Sequence, residues 1–234
     1  MLPIRDDAPK STTPYVNYFL IVLNIAIYFF EWFLEVSQGA SAKGAFLAQF
    51  SLIPRQVVGT WTDGHLPGAS AFVPFFSSMF LHASWWHVLG NMWGLAIFGD
   101  NVEDRLGHIG YLIFYLLCGL GAGITHLLFN FNSRVETVGA SGAIAGVMGA
   151  YLILYPRSRV LTWWGFFVFW LPAWLVLGYW LIVNILSGAA TSLTVARAPV
   201  GGIAFWAHVG GFVCGALLIQ LMPTRKNMYV FEDY

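Results

Sequence analysis

Charge is what this 234-residue chain has least of: Asp, Glu, Lys and Arg make up 9% of it, against about 25% in soluble domains. The 11 basic and 11 acidic residues cancel, so no excess of one sign points to a nucleic-acid partner. Cysteine is nearly absent. Cys118 and Cys214 both lie in apolar stretches, which reads as two small buried hydrophobes and not as a disulfide or a metal pair. The first apolar segment begins at Tyr15, after Asp6, Asp7 and three prolines. It lacks the basic flank and small-residue cleavage site of a signal peptide and is read as a retained span. Disorder, coiled coil and a disulfide scaffold are excluded by composition, and no long internal repeat is found. What is abundant is apolar: 58% hydrophobic and 18% aromatic residues. A soluble domain of this size could not hide that excess, so the chain reads as an integral membrane protein.

Six blocks of at least 20 residues carry no Asp, Glu, Lys or Arg: Ser11–Phe30, Gly64–Gly99, Leu106–Ser133, Thr137–Pro156, Val160–Ala196 and Ala198–Thr224. Crossing the hydrocarbon layer takes about 20 helical residues. Spans are therefore expected near 15–36, 82–99, 109–129, 139–155, 166–187 and 203–222. The blocks do not alternate polar with apolar residues, which argues against a β-barrel. The expected fold is an all-α membrane protein, a six-transmembrane-helix bundle over residues 15–222. A tail of residues 1–14 precedes it and one of 223–234 follows.

Basic residues orient the bundle. With the N-terminus cytoplasmic, the inner segments hold Arg5, Lys10, Arg105, Arg157, Arg159, Arg225 and Lys226, and the outer ones Lys43, Arg55, Arg134 and Arg197. Both termini are thus expected to be cytoplasmic. The connection from Ser37 to Leu81 mixes apolar runs with Pro54, Trp61, Gly64, Pro67, Gly68 and Pro74. It is expected to lie partly in the outer membrane interface.

Polar groups at membrane depth are costly, so each needs a reason. His82, His87 and Asn91 open the second span, Ser141 opens the fourth, and His208 lies near the start of the sixth. In this topology all five fall at comparable depth in the outer half of the bilayer. Gly139-Ala140-Ser141-Gly142 places a hydroxyl on the first turn of a helix, where free N–H groups and the helix dipole favour an oxyanion. Gly142 and Gly146 also form a small-xxx-small packing ridge, as do Gly211 and Gly215 in the sixth span. His208 lies on the face of that second ridge and is the natural base for Ser141. No Asp or Glu falls within either span, which favours a Ser-His dyad. His87 and Asn91, four apart, share a helix face and can donate to an oxyanion. His82, about 140° from His87 on a continuous helix, is expected to face elsewhere and to be structural. Haem ligation by His82, His87, His126 or His208 would leave Ser141 and Asn91 unexplained, and no Cys or carboxylate completes a metal set.

These residues resemble the rhomboid family of intramembrane serine proteases. The resemblance rests on His82-Ala-Ser-Trp-Trp-His87-Val-Leu-Gly-Asn91, Glu103-Asp104-Arg105-Leu106-Gly107, Gly139-Ala140-Ser141-Gly142 and Ala207-His208-Val209-Gly210-Gly211 with Gly215. It implies a six-helix bundle with a water-filled cavity opening outward. Ser141 would be the nucleophile and His208 the general base, with His87, Asn91 and the Ser141 N–H forming the oxyanion hole. Glu103, Arg105 and Gly107 would stabilise the turn after the second span. The implied substrates are transmembrane proteins, cut near the outer end of a span without metal or cofactor. Two positions depart from the family. Ala145 stands where many relatives stack an aromatic Tyr on the base, so a Phe or Trp from a neighbouring span is expected to hold the imidazole. Val73 and Pro74 stand where some relatives carry Trp-Arg. The alternatives are a non-catalytic rhomboid-like binder of transmembrane clients and a haem- or metal-binding membrane carrier. A bacterial-type cytoplasmic membrane is the expected location.

Overall fold

The computed structural model describes residues 1–62, 69–194 and 204–225. Arg197, Lys226, the start of the sixth expected span at 203 and Gly64, Pro67 and Gly68 of the outer connection lie outside the described residues. So do tail residues 226–234. The chain is mostly helical. Strand β1 (Leu2–Asp6) leads into α1 (Tyr15–Gln38), α2 (Ala40–Phe50) and α3 (Pro54–Thr62). A 3-10 turn, the short α4 (Val73–Ser77) and a second 3-10 turn precede α5 (Trp85–Leu106) and α6 (His108–Phe129). Then follow α7 (Ser141–Leu154), strands β2 (Arg159–Trp164) and β3 (Phe167–Pro172), α8 (Ala173–Thr194) and α9 (Phe205–Leu221). Within the described residues, α1, α6 and the Ala173–Ser192 part of α8 are long and apolar enough to cross a membrane.

Helix α1 is inverted relative to a soluble helix. Its buried stripe is Asn17, Leu20, Asn24, Tyr28 and Glu31, spaced three and four apart as one helix face requires. Tyr18, Phe19, Val22, Phe29 and Phe33 point outward. That is the pattern of a helix whose surroundings are as apolar as a protein core.

Residues 1–14 are strapped along α5. Trp93 Nε1 donates to the Pro3 carbonyl at 2.7 Å, Asn101 Nδ2 to the Ala8 carbonyl at 3.1 Å, and Lys10 Nζ to Asp100 at 2.6 Å. Asp104 Oδ1 accepts from the backbone N–H and the hydroxyl of both Ser11 and Thr12. Glu103, fully buried, accepts the Val16 and Asn17 N–H groups at 3.0 and 2.7 Å. A carboxylate thus takes up orphan donors at the positive end of α1.

Helix α7 is the centre of the bundle; every residue from Gly142 to Tyr151 is buried. A side chain at Gly211 would strike the Gly142 carbonyl, and one at Gly215 the Gly146 carbonyl. The two glycine ridges therefore meet backbone to backbone, with no room for a side chain between α7 and α9 at these positions. On its other side Gly146 faces Cys118 of α6. Cys118 and Cys214 are both free thiols.

Residues 159–172 correct the all-α expectation. They form an antiparallel hairpin, with Trp164 opposite Phe167, closed by a two-residue turn in which Gly165 takes φ +63°. Strand β1 adds to its free edge, giving the order β1-β2-β3. The fifth apolar helix consequently begins at Ala173, not 166, because Pro172 ends β3. Residues rich in Trp, Phe, Val and Thr favour extended backbone, which a count of charges alone cannot distinguish from a helix.

The outer connection is packed against the bundle around α3 and α4, whereas α2 has no buried residue. Leu52, Val57 and Phe75 form a small core with Leu127 of α6, and Leu52 pairs with Thr137 in an isolated bridge. This tether holds the segment leading into α7.

Candidate catalytic site

Ser141 is the first residue of α7. Gly139, at φ +122°, turns the chain into the helix, and its N–H donates to the Ser78 carbonyl at 2.8 Å. The first-turn N–H groups of a helix have no intrahelical acceptor, because the residue four before each lies outside the helix, and they remain available. His208, on the first turn of α9, brings Nε2 to 2.8 Å from Ser141 Oγ. Both residues are half-buried.

His87 and Asn91 project from α5 onto the same spot. A Cβ built at Gly139 would lie 2.7 Å from His87 Nε2 and 3.5 Å from Asn91 Nδ2. Only glycine leaves both side chains room beside the turn that precedes Ser141. Asn91 Nδ2 is buried without a hydrogen-bond partner among the described residues, and a buried orphan donor is costly enough to need a purpose. His87 Nδ1 accepts the Ala83 N–H at 3.4 Å; in a neutral imidazole that places the hydrogen on Nε2, the atom facing Gly139. Helix α5 begins at Trp85, capped by Ser84, whose Oγ accepts the His87 N–H at 3.2 Å.

That cap corrects the expectation for His82. It lies before the helix, so helical angles do not apply, and its ring meets the His87 ring edge-on at 5.1 Å. Its backbone N–H donates to the buried Glu31 carboxylate at 3.2 Å. His126 is engaged elsewhere, with Nε2 2.9 Å from Thr137 Oγ1. Among the described residues no three His, Cys, Asp or Glu side chains gather as a metal set.

The Glu103–Gly107 segment turns α5 into α6 through Gly107 at φ +71° and does more than that. Glu103 caps α1 and pairs with His108. Arg105 exchanges two bonds with Arg225, its Nε donating to the Arg225 carbonyl at 2.8 Å and its own carbonyl accepting the Arg225 N–H at 2.7 Å. Val73 and Pro74 open α4, and Ala145 is buried within α7. The aromatic ring beside His208 comes instead from α8: Trp180, with centroids 5.5 Å apart and planes inclined by 34°.

Asn184, four residues beyond Trp180 on the same face of α8, went unread in the sequence. It is 5% exposed, and its Oδ1 lies 2.7 Å from His208 Nδ1. An amide in an otherwise uncharged span was the available signal; its partner could not be read from spacing along one helix.

A hydroxyl at a helix start, an imidazole in contact with it and amide and imidazole donors alongside can perform acyl transfer. Comparison with known proteins agrees in kind. A rhomboid domain model matches residues 69–225. Rhomboid-like protein 11, chloroplastic, of Arabidopsis thaliana is 26% identical over 224 residues, covering 92% of this chain and 68% of its own. RHOMBOID-like protein 6, mitochondrial, of the same plant is 33% identical over 159 residues, 67% of this chain and 46% of its own. Rhomboid protease AarA of Providencia stuartii is 25% identical over 215 residues, 85% of this chain and 69% of its own. The chain thus spans less than half the length of some relatives it matches. Relatives named for chloroplasts and mitochondria give no preference for a bacterial-type membrane; what stands is an integral membrane protein. With the domain model covering more than half of its length, the chain belongs to the rhomboid family.

Proposed function

We propose that the chain is an intramembrane serine endopeptidase acting on transmembrane proteins. The observation that carries this reading is the 2.8 Å approach of His208 Nε2 to Ser141 Oγ across helices joined by two glycine ridges. As Ser141 Oγ attacks the scissile carbonyl, its proton passes to His208 Nε2. The resulting oxyanion is held by the Ser141 N–H, His87 Nε2 and Asn91 Nδ2, and collapse of the intermediate delivers the His208 proton to the leaving amine. Water, activated by the same imidazole, then releases the acyl group. These side chains and N–H groups suffice, so the reading invokes no cofactor.

The length of α7 supports a site below the membrane surface. Its 14 residues rise about 21 Å, short of a hydrocarbon layer about 30 Å thick. With its C-terminal end at one face, its first turn lies beneath the other. The distribution of basic residues favours cytoplasmic termini; in that orientation Ser141 opens toward the outer face and cleavage falls near the outer end of a substrate span.

The test is incubation of the purified protein, in liposomes, with a single-span substrate. Wild type cleaves it; Ser141→Ala and His208→Ala each abolish cleavage. Undiminished cleavage by Ser141→Ala ends the proposal, and binding without cleavage by wild type identifies a client-binding protein instead.

A further inference from the structure

We propose that Asn184 is a positioning residue for His208: it fixes the tautomer and ring orientation that leave Nε2 free to take the Ser141 proton. The inference rests on the proteolytic reading of Ser141 and His208 and extends it to a third helix.

The chain of bonds has one direction. Asn184 Nδ2 lies 2.8 Å from the Trp180 carbonyl, which can only accept. The amide nitrogen must therefore face Trp180, and the amide oxygen must face His208 Nδ1 at 2.7 Å. That oxygen also only accepts, so Nδ1 carries the hydrogen. A neutral imidazole has one N–H, so Nε2, 2.8 Å from Ser141 Oγ, presents a lone pair to the hydroxyl. A backbone carbonyl of α8 thus dictates which nitrogen of His208 is the base.

Trp180 adds a second constraint, its ring lying 5.5 Å from the imidazole. One helical turn of α8 supplies both the bond along the ring plane and the aromatic against its side. When Nε2 takes the serine proton, Nδ1–H stays bonded to Asn184, whose oxygen dipole favours the imidazolium. Being neutral, an amide does so less than a carboxylate would, and it costs less to bury beside lipid. In serine hydrolases with a charged third member, loss of that member by the wrong-tautomer route lowers turnover about 10⁴-fold. A neutral member implies a smaller factor.

The experiment uses the full chain in liposomes with a single-span substrate, over pH 5–9. Asn184→Ala is expected to lower kcat ~10- to 100-fold with KM within about twofold of wild type, since uniform binding is untouched. Asn184→Asp retains an oxygen opposite Nδ1. It is expected to recover activity over Asn184→Ala and to move the acid limb of kcat/KM to higher pH, because an adjacent carboxylate favours the imidazolium. His87 on α5 and His126 on α6, the ionisable side chains of the neighbouring helices, are unchanged in these variants. Wild-type kcat in Asn184→Ala, or an Asn184→Asp protein no more active than Asn184→Ala and with an unmoved limb, overturns the inference.

A second measurement is independent of turnover and leaves Asn184 in place. In 15N NMR of the imidazoles, with the His208 signal assigned by its loss in His208→Gln, wild type is expected to show a protonated Nδ1 and a bare Nε2. The opposite tautomer overturns the inference. If wild type shows the expected tautomer but cleaves nothing, the proteolytic reading falls and the Asn184–His208 relation stands. If wild type cleaves and Asn184→Ala matches it, Asn184 alone is removed from the machinery.

Discussion

Gly211 rests on the carbonyl of Gly142, with no room between them for a methyl group. His208 sits one turn before Gly211 on α9, and Ser141 is the neighbour of Gly142. The contact that packs the helices therefore also sets the distance between hydroxyl and imidazole. Gly211→Ala is expected to push α9 off α7, costing about 1–3 kcal/mol and at least tenfold in cleavage rate. Gly178→Ala, on α8 with no described atom within 4 Å of the added methyl, is the control expected to leave cleavage unchanged and stability unchanged or raised by up to about 1 kcal/mol. Thermal unfolding in detergent and the cleavage assay together check both.

Asn91 offers the opposite coupling of stability and activity. Its Nδ2 is buried and has no partner among the described residues, a situation that costs about 1–3 kcal/mol. Asn91→Ala removes that orphan and is expected to leave stability unchanged or raised. Loss of one oxyanion donor is expected to lower kcat by about 10²- to 10³-fold. Parallel melting and kinetics test this; a joint fall in both would mark Asn91 as a packing residue.

Glu103 anchors three parts of the chain through one buried carboxylate. Glu103→Gln keeps one acceptor but loses the charge on the α1 N–H groups and the pairing with His108. Charge-assisted bonds contribute about 1.5–3 kcal/mol each, and the expected loss is about 1–2 kcal/mol. Amide exchange at Val16 and Asn17 should accelerate first. Exchange that rises uniformly along the chain would contradict a local cap.

Asp6 brings a pH dependence. Burial pushes its carboxyl up to about 6, against the opposing hydrogen bond from Tyr151 and with Asp100 adding repulsion. The folded chain binds this proton more tightly than the unfolded chain, for which the value is 3.8. Its stabilising contribution is thus complete below about pH 4 and lost as pH rises through about 6. Asp6→Asn keeps an acceptor for Tyr151 and is expected to melt higher than wild type at pH 7.5, by about 1 kcal/mol after allowing for solvent screening. The gap should close at pH 4. A gap that widens on acidification would reverse the assignment.

Much of the site was legible because helical periodicity is a local property. Glycines four apart on α7 and α9, His87 four before Asn91, and Ser141 at the start of an uncharged block could each be placed on a face from spacing alone. Other features depended on where a helix begins. His82 meets His87 because Ser84 caps α5 after it. Residues 167–172 are strand because the Gly165–Phe166 turn and Pro172 bound a run of aromatic and branched residues whose lack of charge suits a span equally well.

By itself the sequence determined that the chain lives in a bilayer, where its long uncharged blocks fall, and which alcohol, imidazole and amide are too costly there to be idle. Only the tertiary structure decided that an amide and a tryptophan from α8 flank His208, that β1 joins the hairpin, and that Glu103 caps α1. Those are contacts between segments far apart in the chain. They are set by how closely backbones pack and by which donors remain unpaired when they do, and no periodicity within a single helix encodes them.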